Sequence, residues 1–150
     1  MVLFKLLHIL AALVWVGGMF FAYLVLRPAA SEVLQPPERL RLWDKVFERF
    51  FNWVWLMVFL LLVSGLHMIY LLGGISHALP YMRLMMWLGI VMMLIFCYAF
   101  FFCYVRFNLL VAAQDWPQAG RVLATLRRLV AVNLLLGLLT VAVVIIGRGS

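Results

Sequence analysis

Four apolar runs, at about residues 3–26, 50–72, 84–104 and 129–146, decide what solvent this chain can fold in. Roughly 20 helical residues cross the ~30 Å hydrocarbon core of a bilayer, and each run meets or approaches that length. A segment in hydrocarbon must satisfy its own backbone N–H and C=O groups, which makes each run a helix. Of the 150 residues, 69% are hydrophobic and 11% charged, more apolar surface than a soluble domain of this size can hide. The expected fold is therefore all-α and integral to the membrane: one four-transmembrane-helix bundle spanning residues 1–150. The first run has Lys5 ahead of an apolar core, as a signal peptide does, but the core is too long and is read as a span.

Charge sets the orientation. Nine of the 12 basic residues (Arg27, Arg39, Arg41, Lys45, Arg49, Arg106, Arg121, Arg127 and Arg128) fall on the side of the first and third connections. Lys5, Arg83 and Arg148 fall on the other. The positive-inside rule puts the first group in the cytoplasm. Both termini and the 73–81 loop then face outward, which in a bacterium means the periplasm. The net charge of +7 reports this topology and does not call for nucleic acid. Between the first two spans, Pro36-Pro37 is followed by Leu40, Trp43, Val46 and Phe47 at helical spacing among charges. That pattern predicts a short amphipathic cytoplasmic helix lying on the membrane surface. In the third connection, Asp115 is placed to cap a helix with Pro117 in its first turn. No internal repeat is visible.

Ionisable groups inside spans are costly and point to function. His8 lies about five residues from the start of the first run, and His67 about five from the end of the second. Antiparallel helices bring both to one depth, roughly 7–9 Å below the outer surface at 1.5 Å per residue. Two imidazoles so placed suit axial ligation of haem b. Ala11, Ala12, Ser64 and Gly65 would let a porphyrin approach, and Arg83 could pair with its propionates. A second ligand set is soft: His8, His67 and His77 with Met68, Met82, Met85 and Met86, suited to copper as Cu(I). A third reading is that the histidines only hydrogen-bond across helices. Asn133, Gly137 and Thr140 share one face of the last run and suit helix packing. Trp53, Trp55, Trp87, Tyr70 and Tyr81 lie near span ends, as an aromatic belt would. Cys97 and Cys103 lack disulfide or zinc spacing. All five acidic residues lie in connections, which excludes a carboxylate relay through the membrane.

The opening LHILAALVWVGGMFFAYLVLRPAA, the SGLH at 64–67 and the closing RRLVAVNLLLGLLTVAV at 127–143 resemble the CopD (copper resistance protein D) type of bacterial inner-membrane proteins. The chain is similar to a single four-helix unit of that family. More distantly it resembles the HemJ-type membrane protoporphyrinogen oxidases, with His8 at their first-span histidine. Their third-span lysine is absent from YMRLMM at 81–86. The first resemblance implies copper handling across the inner membrane, and the second implies haem and redox work. Three functions are expected on this basis: haem b binding through His8 and His67 for electron transfer or within a redox complex, copper binding or import, or a structural role in a larger membrane complex. Any enzymatic activity would be of oxidoreductase type. The partners expected are the lipid bilayer and a homo-oligomer or larger membrane redox complex.

Overall fold

The computed structural model describes residues 1–149, and these form four long helices: α1 (Val2–Val33), α2 (Pro36–Leu71), α3 (Pro80–Ala112) and α4 (Trp116–Gly149). Each is long and apolar enough to cross a membrane. At 32 to 36 residues they run about 50 Å, well past the hydrocarbon thickness. Between 22% and 28% of each helix's most apolar stretch is buried inside the bundle. The remainder carries large side chains such as Leu13, Phe59, Leu94 and Leu135 outward. A surface of that kind is stable only against lipid.

The α1–α2 connection is Leu34 and Gln35, both extended, Gln35 being held so by Pro36 that follows it. The α2–α3 loop turns at Gly73 and Gly74, whose φ angles of 93° and 115° suit a residue without Cβ. It then makes one short 3₁₀ turn, Ile75–His77. The backbone N–H of Gln118 donates to Asp115 Oδ1 at 3.4 Å, so Asp115 does cap α4. α1 packs chiefly on α2 and α3 on α4, and the two hairpins meet where α1 touches α4 and α2 touches the second half of α3.

Two expectations are corrected. The first helix does not stop near residue 26. Residues Phe21–Leu26 form a π turn in which Arg27 N–H donates to Ala22 O, five residues back. Pro28 lacks an N–H and its ring would strike the carbonyl of Leu24 in a regular α-helix. The wider turn absorbs that conflict, and the helix runs on to Val33. Nor is there a separate surface helix before the second span. Residues 36–49 are the first turns of α2, and their apolar stripe faces the bundle: Leu40, Trp43 and Phe47 are buried. Phe47 meets Tyr104 and Phe107 of α3 edge-on, with centroids 6.3 Å apart in both pairs.

The hairpins share a layout that their side chains do not advertise. A second π turn, Ala99–Tyr104, begins 19 residues into α3, and the first begins 19 residues into α1. Between them lies the aromatic core. Phe51 contacts Phe96 at 5.4 Å and Tyr104 at 5.4 Å, and Trp55 contacts Phe96 at 4.8 Å and Phe100 at 5.3 Å. In lipid, apolar burial alone drives little association, so ring geometry and close contact carry this core, at about 0.5–1.5 kcal/mol per aromatic pair. Trp55 thus belongs to the core, whereas Trp53, Trp87 and Tyr70 are exposed on the outside of the bundle.

Candidate metal site

The site lies on the α1–α2 hairpin at the end of the bundle that carries the termini. The α2 residues Ser64 and Gly65 pack against His8 of α1. A Cβ at Gly65 would lie 3.4 Å from His8 Cε1, so the ring rests on bare α2 backbone. Ser64 is 1% exposed and Ala11, one turn along α1 from His8, is equally buried.

The hydrogen bonds around Ser64 fix the chemistry of the imidazole. Ser64 Oγ donates to Leu60 O at 2.6 Å, which uses its one proton. His8 Nδ1 lies 2.9 Å from the same oxygen and must therefore donate to it. Nδ1 then carries a proton, so in the neutral ring Nε2 is the nitrogen that keeps its lone pair.

His67 is half-buried on the same α2 surface, one turn beyond Ser64, so it sits about 4.5 Å nearer the helix end than His8's partners. Its ring stacks on Phe4 of α1, centroids 3.9 Å apart and planes inclined by 24°. Phe4 and His8 are one turn apart on α1, as Ser64 and His67 are on α2. The two imidazoles therefore occupy neighbouring rungs of one helix pair. Met68 follows His67 and is half-buried.

The other expected site residues are placed elsewhere. Met82, Met85 and Met86 open α3, whose first half packs on α4. Among the described residues, no hydrogen bond or ring contact joins them to His8 or His67. His77 is exposed on the 3₁₀ turn, with Nδ1 3.4 Å from Ser76 Oγ. Arg83 clamps that loop, donating from Nε to Ala78 O at 3.1 Å and from Nη2 to Ser76 O at 3.0 Å. Ala12 is half-buried on α1. No group of three or more His, Cys, Asp or Glu side chains gathers into a metal cage among the described residues. Cys97 and Cys103 are free thiols.

In this packing the His8 ring lies against Gly65 and Ser64 and the His67 ring against Phe4, contacts that a porphyrin between the two imidazoles would have to displace. Two roles were not read from the sequence: Ser64 as the hydrogen-bond partner of His8, and Phe4 as the cover of His67. An S-x-x-H spacing across from a histidine hints at the first.

These features define a multi-pass membrane bundle with His8 and His67 on two packed helices near one end. The family model described as Copper resistance protein D matches residues 44–146, more than two thirds of the chain, and the chain belongs to that family. The match includes Ser64, Gly65 and His67 and begins after His8. No curated protein and no solved structure matches the chain.

Proposed function

We propose that this protein binds Cu(I) near the terminal end of its bundle and hands it on within the membrane. His8 Nε2 is the first donor and His67 the second. The observation that carries this reading is the chain His8–Ser64–Leu60, which places a proton on Nδ1 and so makes Nε2 the nitrogen that can offer a lone pair. Imidazole is a good ligand for copper, and a soft monovalent ion needs few donors. Family membership supports copper as the cargo, and the contact between α1 and α2 favours an ion over haem b. With the arginine-rich connections in the cytoplasm, the site faces the periplasm, where copper enters.

The test is a competition titration of the detergent-purified chain against a Cu(I) chelator. His8→Ala and His67→Ala should each weaken binding at least about tenfold, the scale set by loss of a ligand or its orienting partner. Replacing Met82, Met85 and Met86 with leucine should leave affinity unchanged. Equal affinity in all variants would remove the proposal. A b-type visible spectrum in the purified protein, lost with either histidine, would replace it with the haem reading.

A further inference from the structure

At the opposite end of the bundle, arginines from three helices converge on one notch. Arg27 of α1 and Arg127 of α4 line a gap of about 10 Å³ with Tyr23 and Trp43. Arg39 of α2 and Arg128 lie close enough for their charges to act on Arg127, as Arg27 does. Arg27, Arg39 and Arg127 are each half-buried. Three like charges held together by three packed helices repel one another, and a nearby carboxylate would ordinarily offset that.

None does among the described residues. The ion pairs at this end are Arg41 with Glu38 and Lys45 with Glu48, both exposed. Asp44 is buried and accepts from Asn108 Nδ2 at 2.8 Å. Asp115 caps α4. Glu32 is exposed and makes no ion pair. The converging arginines are instead positioned by neutral groups. Arg27 lies over the Tyr23 ring at 4.4 Å and spends only Nε, on Tyr23 O at 3.1 Å. Arg39 Nη1 donates to Ser31 Oγ at 3.2 Å. Arg127 donates to no acceptor among the described residues. The terminal nitrogens of Arg27 and all of Arg127 stay available, in the planar geometry that matches phosphate oxygens.

The geometry points to a binding site for a phosphate-bearing anion at this notch, bridging Arg27 and Arg127 with Arg39 alongside. The gap is too small to swallow a phosphate, so the group sits at its mouth. Arg27 directly follows the first apolar run and Arg127 and Arg128 directly precede the last. The mouth thus lies at headgroup depth, where basic pockets between helices take anionic phospholipid. A soluble phosphate has the same chemistry and is separated by experiment.

The test uses the full chain in detergent, delipidated and then supplied with phosphatidylglycerol, phosphatidylcholine or inorganic phosphate. Retention is read by native mass spectrometry and stabilisation by thermal unfolding. Phosphatidylglycerol should bind and raise the unfolding temperature, and phosphatidylcholine should do neither. Arg27→Gln and Arg127→Gln should each weaken retention about tenfold, the scale of one charge-assisted hydrogen bond. Lys45→Gln, which removes the same charge from an exposed pair, should retain the lipid. Stabilisation by inorganic phosphate equal to that by phosphatidylglycerol would support the site and assign it to a soluble anion. Equal retention in the wild type and both glutamine variants, or equal binding of phosphatidylcholine, would overturn it. Should the glutamine variants not fold, Arg27→Lys and Arg127→Lys keep the charge but lose the fork. Their unchanged retention, with phosphatidylcholine bound as well as phosphatidylglycerol, would likewise overturn it.

Discussion

His8 Nδ1 on α1 lies 2.9 Å from Ser64 Oγ on α2, and that oxygen has already given its proton to Leu60 O. The contact does two things at once. It ties the first two helices together where lipid offers no competing partner, and it decides which nitrogen of the ring is a base. A hydroxyl that merely packed against a histidine would leave the tautomer open. Here the direction of one O–H bond places a proton on Nδ1 across the helix boundary.

Ser64→Ala should therefore weaken Cu(I) binding by about tenfold to a hundredfold, although serine itself is no ligand. Chelator competition gives the affinity. Nitrogen-15 NMR of the labelled His8 ring gives the cause: Nδ1 protonated in the wild type, and a mixture of tautomers in the variant. An unchanged tautomer would assign Ser64 a packing role alone.

Gly65→Ala should be tolerated, because its Cβ would meet His8 Cε1 at 3.4 Å, an ordinary contact. Gly65→Val should push the ring away and cost copper affinity while the helices remain folded. Circular dichroism and the same titration separate the two effects.

Gly137→Ala should destabilise the bundle. Its Cβ would lie 2.7 Å from Val16 Cγ2 and 3.3 Å from Met92 Cε, so the stiff Val16 side chain or its backbone must shift, at about 1–3 kcal/mol for overpacking. Gly89→Ala is the control, since nothing lies within 4 Å of its Cβ position. It should unfold at or above the wild-type temperature. Thermal melts in detergent compare the pair.

Asn133 is buried and donates from Nδ2 to Met92 O at 3.1 Å, fastening α4 to α3, while its Oδ1 has no partner among the described residues. Asn133→Ala should cost about 0.6–1.7 kcal/mol, the range for one interhelical hydrogen bond in a membrane. Asn133→Leu should cost less, because it also removes the unpaired carbonyl oxygen. The order of the two unfolding temperatures checks this.

Much of the fold was legible because hydrocarbon permits so little. Four apolar runs became four helices, Asp115 capped the last, and Asn133 bonded across helices as its face suggested. Thr140 instead bonds within α4, to Leu136 O at 2.7 Å. Pro28 misled because proline ordinarily ends a helix, and a π turn that accommodates one has no sequence signature. The stripe Leu40, Trp43 and Phe47 was recognised, but a periodic face does not say whether it meets membrane or protein. At the site, antiparallel geometry brought His8 and His67 to neighbouring rungs of the same helix pair. The rotations of α1 and α2 that put Ser64 on one ring and Phe4 on the other depend on packing that spacing does not encode. The same holds for Met82, Met85 and Met86, which shared the depth of the histidines but sit on the other hairpin.

The most direct test of the copper reading is X-ray absorption at the copper edge on the purified full chain loaded with one equivalent of Cu(I). The account predicts a first shell of nitrogen, with the outer-shell scattering of imidazole, lost in the His8→Ala, His67→Ala double variant. A shell dominated by sulfur would move the site to the methionines of α3, and a chain that retains no copper would contradict the claim outright.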